Sequence, residues 1–217
     1  MFNDISPRYD LLNRIISFRR DVAWRKKAIK RLGIDKGDRV LDLACGTGDM
    51  ILNIQKAQPD AEVIGGDFSI QMLIHGKKKV NVPLVAADAC ALPFESEQFD
   101  KITMVFGFRN VVDKPQALRE MYRVLKKGGK FCILEFSQPK SKLFSKLYWF
   151  YFKSILPRVG RLVSRHESAY TYLPVSVEHF PQEEEYRQMI TDAGFSNISF
   201  TPYDFGICTA AIAEKQA

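Results

Sequence analysis

The sequence has no apolar run of the ~18 residues needed to cross a bilayer, so no membrane-spanning helix is expected. It has only four cysteines, none of them in a C-x-x-C pair, and its three histidines are scattered. Neither a metal site nor a disulfide framework is therefore indicated. The first residues, Met1 to Asp4, have no basic flank and no apolar segment. We therefore expect no signal peptide and a cytoplasmic location.

The net charge of +7 raises the question of a nucleic-acid partner. Much of the basic excess lies in residues 14–31 and 140–165, and the second segment is interleaved with aromatic side chains. Such a pattern suits RNA, or an anionic membrane surface together with an apolar ligand. No RNA-binding signature accompanies it, so we expect no nucleic acid. Solvated helix faces account for part of the charge.

The most informative segment is 40–49, which reads Val-Leu-Asp-Leu-Ala-Cys-Gly-Thr-Gly-Asp and predicts a buried strand, a glycine turn and the start of a helix. A dinucleotide-binding turn would hold pyrophosphate here, but Ile51 replaces its third glycine. Asp42 and Asp49 would also repel a diphosphate. A cofactor with a cationic centre and an adenosine but no phosphate fits better, and S-adenosylmethionine meets that description. The residues of this segment predicted to bind it are Asp42, Gly46, Thr47 and Gly48.

Two further acids end the next two predicted strands. Asp67 follows the apolar run 62–66, about 20 residues beyond the glycine turn, where a carboxylate can accept both ribose hydroxyls. Asp88 follows the run 83–87, where it could accept from the adenine amino group. A single acid at a strand end is more often a helix cap. Three acids that follow three successive strands favour a cofactor site instead. The residues predicted to complete this site are Asp67, Phe68, Asp88 and Ala89.

Strand and helix patterns alternate along most of the chain and predict an α/β fold, a parallel sheet with helices on both faces. Such sheets bind ligands beyond the carboxyl ends of their strands. We expect one domain, 1–217, with an N-terminal helical flap at 1–33 and a substrate lid inserted at 140–180. The predicted helices are 20–32, 49–57, 69–79, 115–127 and 182–193; the predicted strands are 39–43, 62–67, 83–88, 99–106, 131–136, 196–203 and 207–213. Residues 127–130 are predicted as a turn and 166–180 as irregular.

Several segments resemble known proteins. Gly-Asp-Phe-Ser at 66–69 and Asp-Ala-x-x-Leu-Pro-Phe at 88–94 resemble class I S-adenosylmethionine methyltransferases in general. Narrower matches are Phe2 with Ile5, Tyr9-Asp10 and Asn13; Phe-Gly-Phe-Arg-Asn-Val at 106–111; Leu-Glu-Phe-Ser-x-Pro at 134–139; and Tyr-x-Tyr-Leu-x-x-Ser at 170–176. Together they resemble the ubiquinone/menaquinone biosynthesis C-methyltransferase family over nearly the whole chain.

The resemblance implies a Rossmann-like class I methyltransferase fold with a seven-stranded, mostly parallel sheet. It also implies methylation of a ring carbon on a polyprenylated quinol, either 2-demethylmenaquinol or a methoxy-benzoquinol, and the menaquinone branch is preferred. One segment departs from the family. Where relatives read Gly-Gly-Ile-Val-Ala-Leu-His, residues 205–211 read Phe-Gly-Ile-Cys-Thr-Ala-Ala, so the role of that histidine cannot be carried over.

Two other functions stay open at this stage. The first is a methyltransferase for another lipophilic or phenolic acceptor, which the altered segment 205–211 favours. The second is an RNA-binding protein or RNA methyltransferase, which the net charge favours. RNA methyltransferases that act on amino nitrogens often carry Asn/Asp-Pro-Pro-aromatic after the fourth strand, whereas this chain has Phe-Gly-Phe-Arg at 106–109.

The candidate catalytic residues are Arg109, Asn110 and Tyr9. Arg109 is a permanent cation and an improbable base, so we expect it to stabilise a quinol phenolate or to position a water. A structural salt bridge is the alternative. Asn110 could orient a quinol oxygen, and Tyr9 could close over the cofactor or simply pack in the core. His166 and Glu167 form an alternative acid–base pair.

Residues 142–156 predict an amphipathic helix with Lys142, Lys146 and Lys153 on one side and aromatic and aliphatic side chains on the other. This pattern is typical of peripheral contact with an anionic membrane, where a polyprenylated quinol resides. The alternative is that the apolar side packs on the core. The oligomeric state stays open.

Overall fold

The computed structural model describes Arg14, Ser17, residues 19–139, Lys146, residues 148–150 and residues 174–216. Tyr9, His166 and Glu167 lie outside the described residues, as do residues 1–13 of the predicted flap and most of the predicted lid.

The described elements follow the predicted alternation. The strands are β1 (Arg39–Leu43), β2 (Glu62–Asp67), β3 (Leu84–Ala86), β4 (Phe99–Val105), β5 (Leu125–Phe136), β6 (Phe195–Tyr203) and β7 (Cys208–Lys215). The helices are α1 (Arg20–Leu32), α2 (Asp49–Ala57), α3 (Ile70–Gly76), α4 (Lys114–Val124) and α5 (Glu183–Asp192), with a 3₁₀ turn at Phe108–Asn110 after β4.

Several boundaries differ from the predicted ones, and three of these differences have a cause in strand pairing or packing. Helix α4 ends at Val124 because Leu125 already pairs with Phe99 of β4. The predicted turn at 127–130 is instead part of β5, where the register with β4 shifts between Phe99 and Lys101. Residues 174–178 are helical rather than irregular. Val177 of that helix is fully buried in the core, so tertiary packing stabilises a helix that local sequence does not predict.

The sheet has seven strands in the order β3-β2-β1-β4-β5-β7-β6. Strands β1 to β5 are parallel to one another, whereas β7 is antiparallel to both β5 and β6. The predicted seven-stranded, mostly parallel sheet is therefore confirmed. The strand order reverses between β1 and β4, so the loops after these two strands turn to opposite sides and leave a crevice between them.

Helices cover both faces of this sheet, and each face has its own hydrophobic core. On one face, α1 and α2 bury Trp24, Ala28 and Ile54 against the sheet. On the other face, α4 and α5 bury Met121 and Ile190. Both faces of the central strands are thus apolar and inaccessible, which leaves the carboxyl edge as the place where polar side chains can meet a ligand.

The loops after β1 and β4 approach each other closely at this edge. A Cβ atom on Gly107 would lie 2.4 Å from the Cβ of Ala44, so only glycine fits there. Ala44 and Phe106 both have left-handed backbones, with φ of 51° and 57°. Such strained residues cluster at functional sites. The strained backbone at the ends of β1 and β4 therefore favours a ligand-binding site at this edge of the sheet.

Candidate functional site

A cavity of about 610 Å³ opens at the carboxyl ends of β1, β2, β3 and β4. Its volume is in the range of small-molecule and cofactor sites. Among the predicted site residues, it is lined by Gly46, Asp67, Phe68, Asp88, Ala89 and Asn110. Asp42, Thr47, Gly48 and Arg109 lie close by but do not line it. The structure thus brings together residues that are up to 64 positions apart, from Gly46 to Asn110.

The glycine turn has the backbone that its sequence predicts. Gly46 and Gly48 have φ of +56° and +89°, a region that other residues rarely adopt. A Cβ on Gly48 would also lie 2.8 Å from the side chain of Val80. Gly48 is the N-cap of α2, and the hydroxyl of Thr47 accepts a hydrogen bond from Lys79 at 3.3 Å. Gly48 and Thr47 therefore fix the backbone of the turn without lining the cavity, whereas Gly46 lines it.

Asp67 joins the end of β2 to the glycine turn. Its Oδ2 accepts a hydrogen bond from the backbone N–H of Gly46 and its Oδ1 accepts one from the N–H of Ser69, both at 2.8 Å. Burial raises the pKa of Asp67, and the two backbone hydrogen bonds partly offset this. A carboxylate has about four acceptor sites. The two that remain are available to a diol such as the ribose of a nucleoside.

The far end of the cavity has an exposed, apolar rim. Phe68, Ile70 and Val112 line it and are 80%, 62% and 99% exposed. Asp88 is also exposed and its Oδ1 accepts from the backbone N–H of Cys90 at 2.9 Å. These apolar side chains can pack against a flat heteroaromatic ring such as adenine, and the carboxylate can accept a hydrogen bond from its amino group.

Asp42 is completely buried beneath the glycine turn. Its Oδ1 accepts a hydrogen bond from the Thr103 hydroxyl at 2.6 Å, whereas its Oδ2 has no hydrogen-bond partner among the described residues. Burial raises the pKa of Asp42 to about 7; the Thr103 hydrogen bond and the charge of Arg25 oppose the rise, and the charge of Asp67 adds to it. A buried acid of this kind is complementary to a bound cation, so the residues present fit a cofactor with a cationic centre.

Asp49 has a very different environment from Asp42, although both flank the glycine turn. It forms ion pairs with Lys79 and Arg14, and Arg25 lies 3.9 Å away. Burial alone would raise the pKa of Asp49, but the hydrogen bond from Lys79 and these three positive charges outweigh it, so the pKa is lowered. The charge of Asp49 is therefore offset, and the repulsion of a diphosphate rests on Asp42 and Asp67.

Arg109 forms a buried ion pair with Glu135. Its Nη1 donates to Glu135 Oε1 at 2.7 Å and to the carbonyl of Phe106 at 2.6 Å, and its backbone N–H donates to Glu135 Oε2 at 3.1 Å. The backbone N–H of Phe136 donates to the same carboxylate at 2.8 Å. These contacts fix the 3₁₀ turn that carries Asn110 into the cavity. The salt bridge named above as the alternative for Arg109 is thus present.

Two residues of the site were not predicted. Thr103 orients Asp42, and Arg25 lies beside Asp42 and Asp49 in a small cavity of about 20 Å³, enough space for about one water. Thr103 stands out in hindsight as a hydroxyl within the apolar strand β4. Arg25 follows Asp21 by four residues on α1, and the two form an ion pair. This spacing of an acid and a base on one helix is the one local sequence signal for the position of Arg25.

A second cavity of about 280 Å³ lies beside β5, β6 and β7. Glu135, Tyr186, Phe205 and Ala211 are among its lining residues. It contains the segment in which the chain departs from its family pattern, and Phe205 has φ of 59° there and is 81% exposed. The missing histidine would stand at Ala211, so the departure changes this second cavity and not the first.

Among the described residues, no three His, Cys, Asp or Glu side chains are grouped as a metal site would require. In the same part of the chain, no helix has both the length and the apolarity needed to cross a membrane.

Comparisons with known proteins agree with this geometry. The profile of the ubiE/COQ5 methyltransferase family matches residues 1–215. The chain is 45% identical to the ubiquinone/menaquinone biosynthesis C-methyltransferase UbiE of Geobacter sulfurreducens, over 99% of this chain and 87% of that protein. It is 43% identical to the demethylmenaquinone methyltransferase of Thermus thermophilus, over 99% of this chain and all of that protein.

The fold also matches solved structures. An S-adenosylmethionine-dependent methyltransferase of Thermotoga maritima superposes with a TM-score of 0.70, covering 99% of this chain and 98% of that one. The two sequences are 21% identical, so this likeness concerns the fold. The predicted Rossmann-like class I methyltransferase fold is confirmed.

The contacts of Asp67 lead to a prediction about cofactor affinity. Asp67→Ala should weaken S-adenosylmethionine by about 30- to 100-fold, because two hydrogen bonds to a charged acceptor are lost and the glycine turn is released. Isothermal titration calorimetry measures the affinity. Glu62→Ala, at the exposed opposite end of the same strand, is the matched control and should leave it unchanged. A loss under threefold for Asp67→Ala would contradict the assignment.

Proposed function

The chain belongs to the ubiE/COQ5 methyltransferase family and is an S-adenosylmethionine-dependent methyltransferase; on that premise we propose that it methylates a ring carbon of a polyprenylated quinol, with 2-demethylmenaquinol as the acceptor. One observation supports this most directly. The cavity of about 610 Å³ has a carboxylate end at Asp67 and Asp88 and an uncharged end at Phe106, Gly107 and Asn110. One cavity therefore offers places for a nucleoside cofactor and for an apolar ring.

At the carboxylate end, we propose that Asp67 holds the two ribose hydroxyls while Phe68, Asp88 and Ala89 surround adenine. Gly46 allows the methionine part of the cofactor to approach the backbone. When bound, S-adenosylmethionine supplies an electrophilic methyl group on a cationic sulfur. The buried charge of Asp42 stabilises that cation through space, without the hydrogen bond that a sulfonium cannot donate.

At the uncharged end, the side chains position the acceptor and exclude water. Phe106 is buried and Val111 is half-buried, and both line the cavity with apolar surface. Methyl transfer needs the ring carbon in line with the methyl group and the sulfur, and it needs a dry site more than a catalytic acid. The Asn110 side chain orients a quinol oxygen. Deprotonation of that oxygen makes the ring carbon nucleophilic, so no anionic side chain is wanted close to it.

The role proposed for Arg109 follows from its ion pair. Because Glu135 accepts from both its backbone and its side chain, Arg109 first positions the 3₁₀ turn that presents Asn110. The guanidinium also places a positive charge on the same 3₁₀ turn as Asn110, and this charge would stabilise a phenolate there. Tyr9, outside the described residues, keeps its predicted role of closing over the cofactor.

Contact with a membrane is a further proposal, because a polyprenylated quinol resides in the bilayer. Within residues 142–156 the structure describes Lys146 and residues 148–150. Lys146 is exposed and Phe150 is 59% exposed, as a membrane contact requires, whereas Tyr148 is buried in the core. The apolar side is thus shared between the core and the surface, and Phe150 with Lys146 supports peripheral binding to anionic lipid.

The acceptor is tested by mass spectrometry with deuterated cofactor. Purified protein should transfer a trideuterated methyl group to a short-chain 2-demethylnaphthoquinol at least about tenfold faster than to a matched methoxy-benzoquinol, because a fused ring buries more apolar surface. A simple catechol serves as the control for phenolic acceptors in general. Preference for the catechol would contradict the quinol proposal, and preference for the benzoquinol would move the protein to the ubiquinone branch.

The two roles of Arg109 can be separated by changing its partner as well. Arg109→Gln alone leaves Glu135 buried and unpaired, so it should lower both stability and turnover. Adding Glu135→Gln removes the orphan charge and should restore stability while turnover stays about 100-fold low. Glu135→Gln alone keeps the guanidinium and should retain most activity. If the double variant recovers both stability and turnover, Arg109 is structural only.

Liposome flotation tests the membrane contact. Lys146→Glu combined with Phe150→Ser should reduce co-flotation with vesicles containing phosphatidylglycerol by about tenfold, since both a charge and an apolar contact are lost. Lys36→Glu is the control, because Lys36 is an exposed lysine that precedes β1 at the amino edge of the sheet. Wild-type protein that stays in solution with such vesicles would exclude this part of the proposal.

A further inference from the structure

The environment of Asp42 has a consequence for how the protein handles its cofactor and the product left after methyl transfer. Asp42 is fully buried at the end of β1, and only one of its two carboxylate oxygens has a hydrogen-bond partner among the described residues. Within that part of the chain, no cation lies within the 4 Å of an ion pair with it. Its carboxylate is therefore held in place by Thr103 and not neutralised.

The charged and titratable groups that face Asp42 come from each neighbouring element. Arg25 of α1 and Asp67 of β2 interact with it electrostatically, as does Cys45 of the glycine turn, and Asp49 at the start of α2 lines the same small cavity. Of these, Arg25 is the one cation, and it already pairs with Asp21 and lies over the ring of Phe106. The remaining groups are acids or a thiol. The charge of Asp49 is offset by Lys79 and Arg14, so Arg25 and Asp67 are the charges that act on Asp42, with opposite signs, and neither forms an ion pair with it.

The reaction changes the charge of the cofactor by one unit. The bond between the methyl carbon and sulfur breaks with its electron pair left on sulfur, the methyl carbon bonds to the acceptor carbon, and the acceptor carbon loses its proton to solvent. The cofactor is a sulfonium before this step and a neutral thioether after it. The ammonium, carboxylate and adenosine groups are the same in both, so any group that recognises the sulfur charge alone separates the two.

We propose that the buried carboxylate of Asp42 is the group by which this protein binds the sulfonium cofactor more tightly than its thioether product. The attraction operates through a region of low dielectric constant and needs no contact with sulfur. It disappears when the methyl group leaves, and the product is then held only by contacts common to both molecules. Asp42 thereby favours release of the product as well as binding of the cofactor.

The selectivity must then depend on pH. Because burial raises the pKa of Asp42 to about 7, the carboxyl is mostly neutral about one unit below this value and mostly charged about one unit above it. As the carboxyl ionises, any effect on the shared ammonium and carboxylate is common to both molecules, and only the sulfonium gains the additional attraction to its sulfur. Binding of the sulfonium at neutral pH should also release a proton from Asp42, since a nearby cation lowers the pKa of an acid.

The test measures two dissociation constants by calorimetry, those of S-adenosylmethionine and S-adenosylhomocysteine, at about pH 6 and about pH 8. The thioether-to-sulfonium ratio of dissociation constants should rise about fivefold or more between these values in the wild type. In Asp42→Asn the ratio should stay constant and close to the wild-type value at the lower pH. Glu62→Gln, an exposed carboxylate at the amino end of β2 that does not line the cavity, is the matched control and should follow the wild type.

Thr103→Val provides a second variant should Asp42→Asn fold poorly. Loss of the Thr103 hydrogen bond raises the pKa of Asp42 further, so the rise in the ratio should move to higher pH. A wild-type ratio that does not change with pH, or an Asp42→Asn ratio equal to that of the wild type at about pH 8, would overturn the proposal.

The inference rests on the methyl transfer proposed above, but no acceptor is present in the titrations. A protein that binds neither molecule would contradict the proposed function itself, whereas equal selectivity in all variants would contradict only the role of Asp42.

Discussion

The hydrogen bonds of the Asp67 carboxylate are the interaction on which the site depends. With one oxygen on the N–H of Gly46 and the other on the N–H of Ser69, this side chain ties the glycine turn after β1 to the loop after β2. It also begins α3, since Ser69 is the N-cap of that helix. One carboxylate therefore sets the distance between the two loops that form the floor of the cavity. The close approach of Gly107 to Ala44 sets the opposite wall in the same way.

The two acids of the glycine turn show how much electrostatic environment matters. Asp42 and Asp49 look equivalent in the sequence, yet one has no ion-pair partner among the described residues and the other has Lys79 and Arg14. Asp49 holds the N-terminus of α2 against α1 and the segment around Val80. The Asp42 side chain has only the hydrogen bond from Thr103 among the described residues. The selectivity that we propose for a cationic cofactor thus depends on a carboxyl group that has no ion-pair partner among the described residues.

The cofactor end of the site could be predicted because its residues follow strands directly. A glycine turn and an acid after each of the next two strands are local patterns, and a parallel sheet brings the carboxyl ends of its strands to one edge. The partners of those residues could not be predicted, because pairs such as Arg109 with Glu135 or Lys79 with Asp49 are 26 and 30 positions apart. The start of β5 and the helix at 174–178 were missed for the same reason, since tertiary packing decides them.

A crystal structure of the protein with S-adenosylmethionine is the most direct test of the central claim, that the crevice between β1 and β4 is the cofactor site. We expect both ribose hydroxyls to lie about 2.6–3.0 Å from the Asp67 carboxylate, with adenine beside Phe68 and Asp88 and the methyl group toward Asn110. It also predicts no oxygen or nitrogen of the cofactor in the second cavity beside Ala211. A cofactor bound in that second cavity, or an Asp67 that contacts only Gly46 and Ser69, would contradict it.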